Sequence, residues 1–70
     1  MRRYKIALKV GKTIRIIRKR KKLTQEDVAG MAKIDSSTLG RIERGESNAP
    51  IQTINKIAQA LKVKPKELMP

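Results

Sequence analysis

The sequence predicts an all-α fold, a compact bundle of five short helices. Three observations carry this. Apolar residues recur at three- and four-residue spacing from Val10 to Leu68. Helix-opening residues stand at Thr24, Asp35 or Ser36, Pro50 and Pro65, and Gly45 is placed to close a helix in a left-handed conformation. The single stretch with strand-like alternation has no second strand in the chain to pair with.

Helix 1 is predicted over 12–21, with Ile14 and Ile17 inward, Val10 before them and Leu23 after. Its other face is basic: Lys12, Arg15, Lys19 and Arg20. Ile16 falls off the apolar stripe. Residues 1–9 read two ways. Tyr4, Ile6, Leu8 and Val10 alternate as in a strand, whereas Tyr4, Ala7, Leu8 and Gly11 share a helical face. The segment is taken as a basic N-terminal arm or a helical extension of helix 1, with 10–70 as the folded domain. Helix 2 spans about 25–32, capped by Thr24, with Glu26 and Asp27 at its positive end and Val28, Ala29 and Ala32 inward. Helix 3 spans about 36–44. Helix 4 spans about 51–61, with Pro50 at its first position and Ile51, Ile54, Ile57, Ala58 and Leu61 as one stripe. A fifth short helix at 65–69 starts at Pro65 and carries Leu68 and Met69; Pro70 follows.

Seventy residues make one domain with an aliphatic core, since Tyr4 is the one aromatic residue. There is no cysteine and no histidine, so disulfides, the commonest metal ligands and the commonest general base are missing from the sequence. No nucleophile–base pair or metal-ligand cluster stands out among the six acids, so neither catalysis nor a cofactor is expected. No segment is long enough to span a bilayer, and Lys9 and Lys12 interrupt the apolar stretch that a secretion signal requires. A cytoplasmic protein is expected. Net charge is +12, and residues 1–22 hold eleven basic residues and no acid, while 23–70 hold seven basic and six acidic. That asymmetry points to a polyanionic partner.

Residues 25–44 have the spacing of two short helices joined by a three-residue turn, Lys33-Ile34-Asp35. Ala29 is small where the helices must approach, and Val28, Ala32, Ile34, Leu39 and Ile42 are apolar where they share a core. On helix 3, Ser36, Ser37, Gly40, Arg41 and Arg44 fall within about 140° of arc. That face is small or cationic, a shape that fits a DNA major groove. Arg41 can hydrogen-bond a guanine through two parallel N–H groups, Ser36 or Ser37 can bond either kind of base, and Gly40 lets the backbone come close. Arg41 as a phosphate contact or a solvated side chain stays open on spacing alone. Gln25, at the start of helix 2, can hold a phosphate with the free N–H groups there. Thr24, Arg44, Lys19 and Lys33 are further candidate phosphate contacts.

The order of these residues resembles the lambda-repressor-like helix-turn-helix family (Cro/CI-type, XRE-like). The run Val10-Gly11-Lys12-Thr13-Ile14-Arg15 is followed by Leu23-Thr24-Gln25-Glu26-Asp27-Val28-Ala29. The match resumes at Ser37-Thr38-Leu39, at Arg41-Ile42-Glu43-Arg44-Gly45, and at Thr53, Ile57-Ala58, Ala60-Leu61 and Val63. The resemblance implies a recognition role for helix 3, a phosphate contact for Gln25, base-reading positions at Ser36, Ser37 and Arg41, and an Arg18–Glu43 pair joining helices 1 and 3. The chain departs from the family where Lys22, Lys33 and Lys62 replace the glycines that often follow helices 1, 2 and 4. Gly30 and Gly40 also lie inside helices, each at about 1 kcal/mol against alanine.

The expected function is a transcriptional regulator, a repressor first of all, binding a near-palindromic double-stranded DNA site as a homodimer. Ile51, Val63, Leu68 and Met69 are candidate dimer contacts, with Ile16 and the N-terminal arm as the alternative. With the chain ending just past helix 5, no small-molecule effector domain is expected. A phage or mobile-element repressor, a restriction–modification controller and an antitoxin are all compatible settings. The competing class is a nonspecific coater of nucleic acid. It suits the basic segment, but single-strand binders stack bases on aromatics, which this chain lacks beyond Tyr4. A membrane-surface helix over 5–22 is a third reading; a family match running in order to residue 69 disfavours it.

Overall fold

A computed structural model describes residues 3–69, and the side chains from Lys5 onward. The Tyr4 side chain and Pro70 lie outside the described residues. Four α-helices follow in order: α1 Arg3–Arg20, α2 Gln25–Ala32, α3 Ser36–Glu43 and α4 Ile51–Leu61. The fifth helix expected from the sequence is corrected to one 3-10 turn, Pro65–Glu67. Pro65 opens it, Glu67 accepts the Lys64 backbone N–H at 2.8 Å, and Leu68 then drops into the core, so there is no further turn to propagate.

The strand-like alternation before Val10 is overridden. From Arg3 the chain is one helix with Arg20, and Ala7, Val10, Gly11, Ile14 and Arg18 are its buried side. Ile6 and Leu8, which alternation would bury with Val10, are more than half exposed. At 1.5 Å per residue α1 is about 27 Å long, close to the 30 Å long axis of the molecule. It packs on α3, while α2 packs on both α3 and α4. The fully buried side chains Ile14, Val28, Leu39, Ile57, Leu61 and Leu68 draw on every element, so no helix is peripheral to the core.

Where α1 crosses α3 the two backbones nearly touch. A Cβ on Gly11 would overlap the Ile42 carbonyl oxygen and stand 2.7 Å from that of Glu43. The glycine that weakens α1 locally is what allows this approach. Pro50 is the N-cap of α4 rather than its first helical residue (φ −60°, ψ 156°), and Arg44 is the C-cap of α3 rather than part of it.

Three helices end alike. Lys22, Lys33 and Lys62 each have φ 59°, in the left-handed region. The residue after each donates its N–H back five positions: Leu23 to Arg18 at 3.1 Å, Ile34 to Ala29 at 3.0 Å and Val63 to Ala58 at 3.0 Å. Those three side chains pack against the core, completing a Schellman closure each time. Lysine costs about 1–2 kcal/mol in this conformation, and its charge at a helix C-terminus offsets about 0.3–1 kcal/mol.

Two predictions follow from this packing. Gly11→Ala lowers the urea midpoint, by the equivalent of about 1–3 kcal/mol, although alanine is the better helix former. An unchanged or raised midpoint would show that the helices can part at no cost. Lys62→Gly raises the melting temperature, by the equivalent of about 1 kcal/mol or less after the lost charge and glycine's greater unfolded entropy are counted.

Candidate nucleic-acid interface

The α2–turn–α3 unit is held from both ends. At its start Thr24 and Asp27 cap each other. The Thr24 hydroxyl accepts the Asp27 N–H and the Asp27 carboxylate accepts the Thr24 N–H, both at 2.9 Å. The backbone N–H of Thr24, with its hydroxyl, holds the Asp27 carboxyl below the usual carboxylate range. Glu43, at the end of α3, is the hub. Its carboxylate accepts Arg18 Nε at 2.7 Å and Nη2 at 3.0 Å, and Gln25 Nε2 at 3.0 Å. Arg18 Nη1 donates to the Leu23 carbonyl at 2.7 Å. The pair is dry, with side chains 9% and 1% exposed. Gln25 is therefore fixed at the surface by an ion pair beneath it, with one amide hydrogen and its oxygen left for a ligand.

On the outer side of α3, Ser36, Ser37, Arg41 and Arg44 surround an open depression with Gln25, Gly40 and Glu46. Leu39 and Ile42 point into the core. The face expected from helical spacing is thus assembled, free of large apolar groups, and Asp35 caps α3 without a side-chain hydrogen bond. One expectation is corrected: Gly40 is not bare backbone. Arg44 lies over it, its Nη1 only 3.1 Å from where a Cβ would stand, with the Gln25 amide oxygen at 3.5 Å. The absent side chain makes room for the guanidinium. Lys33 is exposed in the turn after α2, and Lys19 is exposed on α1. Thr24 is exposed, with its hydroxyl engaged in the cap with Asp27.

The dimer candidates divide. Ile51 is 76% exposed and Met69 48%, but Leu68 is fully buried and offers no surface, because the 3-10 turn swings it inward; Val63 is half-buried in the cap of α4.

Two residues escaped the sequence reading. Gly11 carries the α1–α3 crossing. Glu46 grips Arg44, its carboxylate 2.8 Å from Nε and 3.3 Å from Nη2. The signal for the second was an acid and a base flanking a glycine suited to a left-handed turn. Among the described residues no three acids cluster as a metal site, and no helix is long and apolar enough to cross a membrane.

Two short helices at a tight turn, the second one presenting a small cationic face, define a DNA-binding module of the helix-turn-helix class. Residues 14–68 match the HTH_3 helix-turn-helix family, and the chain belongs to that family. The immunity repressor protein of Bacillus phage phi105 is 42% identical over 52 residues, 74% of this chain; the chain spans 36% of that relative's length. Among solved structures, the restriction-modification controller protein C.AhdI from Aeromonas hydrophila superposes with TM-score 0.88 at 38% identity, covering 90% of this chain and 96% of that one. An HTH_3 family transcriptional regulator from Vibrio cholerae gives 0.89 at 28% identity over 93% of this chain and 36% of that one. A hypothetical transcription factor, NHTF, from Neisseria gives 0.88 at 26% identity over 93% and 75%.

The buried pair generates a prediction. Glu43→Ala strands the Arg18 charge and destabilises the fold by about 3–5 kcal/mol, whereas the isosteric apolar double variant Arg18→Met/Glu43→Leu recovers most of that. Chemical denaturation of both measures it. A single-variant loss of about 1 kcal/mol or less would make the contact no better than a surface pair.

Proposed function

We propose that the protein binds double-stranded DNA sequence-specifically and regulates transcription, as a repressor acting as a homodimer in the cytoplasm. The observation that carries this reading is the outer face of α3. Serine hydroxyls and guanidinium groups converge there on an open depression, anchored by a buried ion pair. Ser36, Ser37 and Arg41 contact base edges. Gln25, Thr24, Lys19 and Lys33 take phosphates, with the basic face of α1 adding a sequence-independent pull. The names of the relatives, an immunity repressor and a restriction-modification controller, support regulation in one of those two settings.

Dimerisation places two recognition helices in major grooves about 34–36 Å apart, on a site with inverted half-sites. Its surface includes Ile51 and Met69. Met69 borders an apolar groove with Ile6, Ala7, Val10 and Ile54, and such exposed apolar area on so charged a molecule supports self-association.

Selection from a random duplex pool at about 0.15 M salt returns an inverted repeat with half-sites one helical turn apart. Arg41→Ala weakens binding to that site by about 1–3 kcal/mol and relaxes one position of the motif. Equal loss on random DNA assigns Arg41 to phosphate. Recovery of no motif, with binding that collapses as salt rises, leaves a nonspecific coater driven by α1.

A further inference from the structure

Arg44 and Glu46 meet across Gly45. Gly45 has φ +73°, and a Cβ there would stand 2.8 Å from the Leu8 Cα, so its conformation and its closeness to α1 both require glycine. This turn is also tied by hydrogen bonds, Gly45 N–H to the Ile42 carbonyl at 3.0 Å and Glu46 N–H to the Arg41 carbonyl at 2.9 Å. Glu46 is therefore fixed at its backbone before its side chain makes any contact. Its carboxylate then takes Nε and Nη2 of Arg44, the side-on edge of the guanidinium. The hydrogen bond from Arg44 keeps the Glu46 carboxyl below its usual range and so charged at neutral pH.

Neither stability nor attraction for phosphate explains this pair. Its side chains are 56% and 53% exposed, where ion pairs add little. An acid on this face also cancels one positive charge where a phosphate backbone would be nearest. What the pair does supply is direction. With the side-on edge held, the end-on edge remains, formed by Nη1 and the second hydrogen of Nη2. Nη1 of that edge lies over Gly40, 3.1 Å from where a Cβ would stand, and Arg44 lines the same depression as Ser36, Ser37 and Arg41. Two parallel N–H groups in a fixed plane match the O6 and N7 acceptors of guanine in the major groove.

We propose that Glu46 is a specificity-determining positioning residue: by gripping the side-on edge of Arg44 it aims the end-on edge at a guanine, so that Arg44 reads a base. This replaces the phosphate role expected for Arg44 from the sequence. It rests on the DNA-binding reading above and adds a second arginine to the base contacts.

The test compares motifs selected from a random duplex pool by the wild type, Glu46→Gln and Arg44→Lys, each checked for an unchanged thermal transition, with affinities measured on the selected site and on random DNA. The wild-type motif contains a guanine beyond the one assigned to Arg41. Glu46→Gln loses discrimination at that guanine by about tenfold or more, while binding random DNA more tightly because a negative charge is gone. Arg44→Lys loses the same guanine, since lysine has no two-pronged edge. A motif unchanged in Glu46→Gln, with selected and random DNA tightened equally, overturns the proposal and leaves Glu46 as a charge screen. No motif from the wild type itself overturns the regulator reading and this one with it.

Discussion

Arg18 and Glu43 stand 25 residues apart and meet in a dry interior, where either charge without the other would be strongly destabilising. Their geometry sets much of what surrounds them. The guanidinium uses its third nitrogen on the Leu23 carbonyl, fixing the chain between α1 and α2. The carboxylate uses its remaining capacity on Gln25, fixing the first residue of α2. One contact thus ties the end of α3, the end of α1 and the start of α2 to a common point. Gly11, three residues before Ile14 and seven before Arg18 on the same buried side of α1, lets the backbones come close enough for the pair to form.

Much of this was legible in the sequence where the signal is local. Thr24 with Asp27, and the stripe from Ile54 to Leu61, set the bounds of α2 and α4 because caps and periodicity act within a few residues. The outer face of α3 followed from 100° per residue alone. The Arg18–Glu43 pairing was reached only through family resemblance, since no local rule couples residues so far apart. The start of α1 was ambiguous because its apolar residues satisfy a period of two as well as a helical face; packing on α3 decided it. Leu68 looked like a terminal surface residue until a single 3-10 turn aimed it inward. Gly11 could be placed on a helical face but not explained, because its reason lies on another helix.

Charge organises the molecule at two scales. Over the whole chain, the excess of Lys and Arg lies in α1 and the turn after it, a long basic flank that attracts polyanions without regard to sequence. On the face of α3 the arrangement is discrete. Each outward cation there has its own surroundings: Arg41 is free of hydrogen-bonded partners among the described residues, whereas Arg44 is paired. The two scales suit two tasks, capture by the flank and discrimination by the face.

The lysines that close α1, α2 and α4 carry a consequence for the lifetime of the protein. Each occupies a backbone conformation that glycine adopts freely, so the unbound molecule is less stable than the same fold could be. A ligand that binds only the folded form adds stability that grows with the logarithm of its concentration over Kd. A protein near the threshold of stability is degraded through its unfolded fraction. Binding to a polyanion through the folded form would therefore add back stability that these three helix ends give up.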